Sequence, residues 1–350
     1  MPEFCGDIRE NYSQDEPVFK TRTIRFCVII LVVILGLLGT FLSQFSLYLL
    51  VIIGIAVIAS IGLNFITGFT GMISLGHGAF VGVGAYAAAI MSDRLGVPFI
   101  ISLFLSGLIT ASIGMIFGLP SLRIKGLYLL MATMAAQVII TFLMLNWRSL
   151  TRGAYGYATP PASILGFVFD SEQKCYYLVL ILVLLSVLAA TNIRRGRYGR
   201  AFVAIRDHDI AADLIGVSLL KYKTIAFAIG SFYAGIAGAL MAHHSGVVTP
   251  EHFPLLLSIE YLAMIIVGGL GSIMGSIYGA ILIILLPELL QILMGEYMIE
   301  LLPTAAAAYP QVSEILFGCI IIFFLIFEPH GLAEIHRRVK NYFKLWPFAN

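Results

Sequence analysis

Long apolar runs separated by short polar interruptions dominate the chain. About 20 mostly apolar residues suffice for a helix to cross a bilayer. Ten stretches meet or approach that length: 26–44, 46–63, 72–91, 98–118, 127–146, 175–193, 223–244, 255–271, 273–293 and 314–328. Glycine-rich bends join the second to the third and the eighth to the ninth. The pattern predicts an all-α polytopic membrane protein of about ten transmembrane helices, some of them glycine-interrupted. It divides the chain into a tail at 1–25, a transmembrane domain at 26–330 and a second tail at 331–350.

Composition narrows the class. The 350 residues are 60% apolar and 11% charged, against about 25% charged in soluble domains. Mean hydropathy is +0.98. The net charge of +2 carries no sign of nucleic-acid binding, because the basic residues lie in loops and tails. Residues 1–19 hold five acidic residues and no apolar run. That is not the layout of a cleaved secretory signal, so the first span is expected to remain as an anchor. Cys5, Cys27, Cys175 and Cys319 are scattered and fit neither a disulfide framework nor a metal site.

Charge then orients the spans. Lys20, Arg22 and Arg25 precede the first span, which predicts a cytoplasmic N-terminus. Ten spans return the C-terminus, with Arg337, Arg338, Lys340 and Lys344, to the same side. Of the 21 Lys and Arg residues, only Arg94, Arg148, Arg152 and Lys174 then fall outside. The segment Arg194–Lys223 carries seven of the 21 and reads as a cytoplasmic loop. Ala201, Ile205, Ala212 and Ile215 fall near one face of a short helix within it. Arg206, Asp209 and Asp213 fall on another, and Gly216 sits where a helix C-cap would be. Such a helix suits a groove on a partner protein, while a solvated loop without a partner would show the same charges. The external stretches Trp147–Lys174 and Val247–Pro254 read as ordered surface or ordinary connections.

Glycine spacing marks two further regions. The stretch GLNFITGFTGMISLGHGAFVGVGAY (62–86) concentrates glycine, which costs about 1 kcal/mol per helix-interior residue relative to alanine. Gly78 and Gly82 form a small-x-x-x-small pair suited to close helix packing. Gly68, Gly71 and Gly76 are placed to bend or break a helix and expose backbone to a polar cavity. Asn64, Thr67, Thr70, Ser74 and His77 add polar groups at membrane depth. Gly271, Gly275 and Gly279 recur at four-residue intervals in the second cluster, a stripe expected to permit another close contact. Glu260 and Glu288 are the carboxylates expected within spans, and Glu260 is the better pathway candidate. His243, His244 and His252 lack metal-ligand spacing and read as interface residues.

Several blocks resemble the LivM-type permease subunit of branched-chain amino acid ABC importers. They are GLNFITGFTGMISLGHGAFVGVGAY, LRIKGLYLLMATMAAQVI (122–139), NWRSLTRGAYG (146–156), the run from Arg194 through Phe253, and SIEYLAMIIVGGLGSIMGSIYGAILIILLPELL (258–290). They follow the family's order through most of residues 50–330. The resemblance implies a permease paired with a second, LivH-type permease subunit, two ABC ATPase subunits and an external solute-binding protein, in the inner membrane of a bacterium. It further implies that Arg194–Lys223 holds the coupling helix that contacts the ATPase. The importer group's E-A-A-x-x-x-G pattern is met by Ala211, Ala212 and Gly216, with acidic Asp209 one position early; Arg206 adjoins them.

The expected function is therefore alternating-access import of branched-chain or other neutral amino acids. Asn64, Ser74, His77 and Glu260 are the candidate pathway residues. The chain itself is expected to be no enzyme and to hold no catalytic residue, metal or cofactor, since it lacks G-x-x-x-x-G-K-[ST]; ATP and Mg would be used by the ATPases. The alternatives are a urea or short-amide ABC permease and an ion-coupled secondary transporter using Glu260 or Glu288. A membrane enzyme using the histidines is a further class, and no H-x-x-x-H or H-E-x-x-H array supports it.

Overall fold

A computed structural model describes residues 22–119, 126–164, 166–301, 315, 318–319, 321–323, 326 and 331–345. Most of the N-terminal tail and most of the expected span at 314–328 lie outside these residues. The described chain is largely helical. The long helices are α1 (Arg22–Phe41), α2 (Gln44–Ile66), α3 (His77–Arg94), α4 (Phe99–Gly118) and α5 (Leu127–Asn146). After the short α6 (Arg148–Thr151) come α7 (Glu172–Arg195), α8 (Arg197–Asp207), α9 (Asp209–Leu214) and α10 (Leu219–Ser245). The chain closes with α11 (Leu255–Gly268), α12 (Ile273–Leu301) and α13 (Leu332–Leu345).

Seven helical stretches among the described residues are long and apolar enough to cross a membrane: α2, α4, α5, α7, α10, Pro250–Gly268 and the first 18 residues of α12. The apolar part of α1, Ile29–Phe41, is shorter. The helix α3 is absent from the seven for a compositional reason. It is rich in Gly and Ala, and its residues are mostly buried among other helices, so it needs little lipid-facing apolar surface.

The helix α10 is the axis of the bundle, packed on α2, α3 and α4. Glycine allows that approach. A Cβ on Gly62 of α2 would meet the Gly230 carbonyl of α10 at 2.6 Å, and one on Gly84 of α3 would meet the Gly235 carbonyl at 2.5 Å. Close backbone contact of this kind offsets the propensity cost of the glycines. In contrast, α1 lies at the edge. It is held to α7 by Tyr176 Oη donating to the Leu35 carbonyl at 2.7 Å and Tyr177 Oη donating to that of Gly36 at 3.1 Å. Its outer face leaves Ile29, Leu31, Val33 and Leu37 exposed, as a lipid-facing helix should.

The two ends of the bundle differ. One carries the polar loops 147–171 and 246–254, where short strands depart from an all-helical reading. Strand β1 (Tyr157–Ala158) pairs antiparallel with β4 (Val247–Val248), and β2 (Ser163–Ile164) pairs with β3 (Phe167–Val168). Arg94 ties the spans to this cap, donating from Nε to Tyr157 Oη at 3.0 Å and from Nη2 to the Ser149 carbonyl at 2.7 Å. The other end carries α8, α9 and the start of α13.

Three boundaries move from their expected places. The expected helix at 72–91 begins only at His77, because Gly71 takes φ +72° and residues 71–76 run without regular structure. The span at 255–271 stops at Gly268, where Gly269 (φ +123°) and Gly271 (φ +73°) turn the chain. The single helix expected within 194–223 is two, α8 and α9, separated at His208, whose extended backbone (φ −158°, ψ 94°) interrupts the helical path.

Candidate functional site

Two glycine-rich breaks meet at the end that carries the basic loop. Asn64, in the last turn of α2, donates from Nδ2 to the Ser272 carbonyl and to Ser276 Oγ, each at 2.8 Å. Its Oδ1 accepts from the Gly271 N–H at 2.9 Å. One buried amide thus satisfies backbone groups that the turn between α11 and α12 leaves open. A Cβ on Gly68 would strike the same amide. Arg206, near the end of α8, donates from Nη1 to the Gly68 carbonyl at 3.2 Å and from Nε to Asp207 Oδ1 at 3.1 Å. Gly331, before α13, abuts the backbone of Gly269. The loop, both breaks and the C-terminal helix therefore share one junction.

Deeper in the bundle, α3 begins beside α2 at the level of Ala59. That is seven residues before the end of α2, or about 10 Å into the bundle at helical rise. A helix start there leaves N–H groups without water, and side chains take its place. Ser258 Oγ of α11 accepts from the Gly78 N–H at 2.8 Å, and Gln137 Oε1 of α5 accepts from the Ala79 N–H at 2.7 Å. Thr133 Oγ1 accepts from the Leu75 N–H at 3.0 Å. His77 Nε2 pairs with the Ala59 carbonyl at 2.8 Å, and its Nδ1 is buried with no hydrogen-bond partner.

Above this layer lies a cavity of about 520 Å³. Tyr48, Ile52, Ile55 and Ala56 of α2 form one wall, and Leu257, Glu260, Tyr261 and Met264 of α11 form another. Met241, His244 and Ser245 of α10, Glu172 of α7 and Ile284 of α12 complete it. Tyr261 separates it from His77, the two rings meeting edge to face at 5.8 Å. The volume and mostly apolar lining with a few polar groups are those of a small-molecule site.

A family model described as "Branched-chain amino acid transport system / permease component" matches residues 45–325, which takes in α2 through α12. The chain belongs to this permease family. It is 30% identical over 307 residues to the high-affinity branched-chain amino acid transport system permease protein LivM of Salmonella typhimurium, covering 81% of this chain and 68% of that one. Against LivM of Escherichia coli K12 the identity is 30% over 314 residues, covering 82% and 70%. The LivH permease protein of Salmonella typhimurium is 25% identical over 244 residues, covering 64% of this chain and 78% of its own. No solved structure matches.

On this permease the candidate residues separate into distinct settings. Of the four pathway candidates, Glu260 lines the cavity, His77 lies behind Tyr261, and Asn64 is spent on the break junction. Ser74 is buried and accepts from the Gly76 N–H at 3.4 Å. Gly78 and Gly82 face the start of α11 and the loop before it: a Cβ on each would meet Ser258 Oγ and Phe253 respectively, both at 2.9 Å. Gly275 and Gly279 press α12 onto α11, whereas Gly271 lies in the turn and is no part of that helical stripe. In the loop, Ala212 is buried and Ala211 exposed, and Gly216 follows α9 at φ +89°. Ile215, expected with the buried alanines, is 77% exposed.

The structure also uses residues that sequence reasoning passed over. Thr133, Gln137 and Ser258 hold the start of α3, and Gly230, Gly235 and Gly238 shape α10. A lone polar residue at membrane depth is the signal that marks Gln137. His243 is a strut, pairing through Nδ1 with the Pro160 carbonyl at 2.8 Å, while His244 lines the cavity.

Proposed function

We propose that this chain is the membrane-spanning permease subunit of an ATP-binding-cassette importer for branched-chain or other neutral amino acids. It works by alternating access with a second, LivH-type permease subunit, two ATPase subunits and an external solute-binding protein. ATP and Mg act on the ATPases. The basic-loop end faces the cytoplasm with both termini, in a bacterial inner membrane crossed about ten times; residues 26–330 are the permease domain and 194–223 its coupling loop. Asn64, Ser74 and His77 lie beside the route, and Glu260 is on it.

One observation carries the coupling role. The short helix α9 and the residue after it project Ile210, Leu214 and Ile215 outward, 66%, 84% and 77% exposed, from a loop that is otherwise strongly charged. Meanwhile Ala212 anchors α9 inward, and Arg206 links α8 to both glycine breaks. An apolar face outside and a polar tie inside suit a segment that seats in a partner's groove and passes its displacement to the spans. Asp209 and Gly216 set the ends of that segment. Family membership does not favour the urea, short-amide or ion-coupled alternatives.

The test is to replace Leu214 by Glu in the complex reconstituted with its ATPases and binding protein. We expect the permease to insert normally, the ATPase to co-purify at less than a tenth of the wild-type level, and amino-acid uptake to fall with it. Full assembly and uptake in Leu214→Glu would reject α9 as the coupling element.

A further inference from the structure

The cavity between α2, α10, α11 and α12 has a chemical imbalance. Glu172 and Glu260 both line it, and no Lys or Arg is among its lining residues. His244 Nδ1 stands 3.9 Å from Glu172 Oε2, and the His244 side chain is only 10% exposed. Its other nitrogen, Nε2, is buried with no hydrogen-bond partner, as is Glu172 Oε2. The Tyr48 ring lies 5.5 Å from the imidazole. A buried carboxylate oxygen is costly unless a counter-charge or hydrogen-bond donor meets it. The remaining wall is hydrocarbon and thioether: Ile52, Ile55, Met241, Leu257, Met264 and Ile284.

We propose that this cavity is a substrate-reading site for an ammonium group carried on a short aliphatic body. Glu260 and the Glu172–His244 pair receive the ammonium. With the Nδ1 proton directed at Glu172, His244 Nε2 is an acceptor, so the three ammonium protons meet two carboxylates and one imidazole nitrogen. The apolar wall takes the hydrocarbon. A bare inorganic cation would leave that wall unused, and an uncharged amide would leave the carboxylates unmatched. The inference rests on the permease reading, and it adds that the membrane subunit itself selects for the amine.

The experiment is direct titration calorimetry on the purified transporter complex, with leucine, isoamylamine, isovalerate, urea and sodium chloride as separate probes. Isoamylamine should bind, more tightly than leucine, whose α-carboxylate meets no cation in the lining; the two should compete, and isovalerate, urea and sodium should not bind. Glu260→Gln, which keeps the shape and removes the charge, should weaken both ligands at least tenfold. Ala56→Phe fills the apolar wall without touching a charge and should weaken them similarly. Binding indifferent to both substitutions, isovalerate binding in place of the amine, saturation by sodium alone, or no binding at all would each overturn the site. Leucine uptake by the same complexes separates this inference from the transport reading. Uptake at the wild-type rate in Glu260→Gln sinks the site and leaves the importer standing. Amine binding without uptake in the wild type does the reverse.

Discussion

At the scale of single residues, the glycines sort by physical cause, and the causes predict different penalties. Gly275 is held by space: a Cβ there would meet the Gly269 and Gly268 carbonyl oxygens at 2.6 and 2.8 Å. Gly275→Leu therefore has to part α11 from α12, and overpacking of this kind costs about 1–3 kcal/mol or more. A lower melting temperature of the detergent-solubilised permease and lower uptake are the expected results. Gly216 is held by backbone alone. It sits at φ +89° with nothing within 4 Å of its Cβ position. Gly216→Val should cost about 1–3 kcal/mol from the strained dihedral, and Gly216→Asn should recover most of it, because Asn tolerates the left-handed region. Equal melting temperatures for the Val and Asn variants would exclude this cause. Ala212 is different again. Its methyl faces the bundle, so Ala212→Trp would unseat α9 from its own chain before any partner is met.

At the scale of elements, the start of α3 concentrates the most strain-sensitive chemistry. Gln137 joins α5 to three other segments: its Oε1 accepts from the Ala79 N–H and from Ser258 Oγ at 3.1 Å, and its Nε2 donates to the Phe253 carbonyl at 3.0 Å. Gln137→Leu keeps the bulk and abandons the Ala79 N–H, the Ser258 hydroxyl and the Phe253 carbonyl. Leaving buried backbone groups unmatched costs about 1–3 kcal/mol each. A clear fall in thermal stability is expected, larger than for Ser258→Ala, which removes the Ser258 Oγ donor to Gln137 Oε1 and the acceptor of the Gly78 N–H but leaves Gln137 bonded to Ala79 and Phe253; a smaller fall would mean that water reaches the site. This element also shows what the sequence disclosed and what it concealed. Long apolar runs made most spans legible to within a few residues. The five residues before His77 were read as helix because Met, Ile and Leu stand among them, and hydropathy is blind to φ. The acceptors for Gly78 and Ala79 come from positions 137 and 258, distances along the chain over which no local pattern operates. In the basic loop, helical spacing found the buried Ala201, Ile205 and Ala212. It missed the break at His208, which rotates Ile215 outward. Within the tail at 331–350, Leu332–Leu345 is helical, its Arg337 paired with Glu334 at 2.9 Å.

At the scale of the whole molecule, the two ends of the bundle make opposite predictions for accessibility. In a background with the native cysteines replaced, a Cys at Ser163 in β2 should react with an impermeant maleimide applied from outside intact cells. A Cys at Ser218, between α9 and α10, should react only after the membrane is opened. Both positions are at exposed sites, so a reversed pattern would invert the orientation and could not be put down to burial. The Asn64 clamp adds an order in time. Its amide belongs to α2, early in the chain, yet its partners Gly271, Ser272 and Ser276 are 207 to 212 residues later. At about 5–20 residues per second of synthesis, roughly 10–40 s pass before those partners exist. Throughout that interval the nascent chain carries an unmatched carboxamide near the C-terminal end of α2, the most enclosed of the seven candidate spans among the described residues. The α11–α12 hairpin thus completes this clamp, and a chain cut short of it leaves the membrane insertion machinery holding an unfinished product.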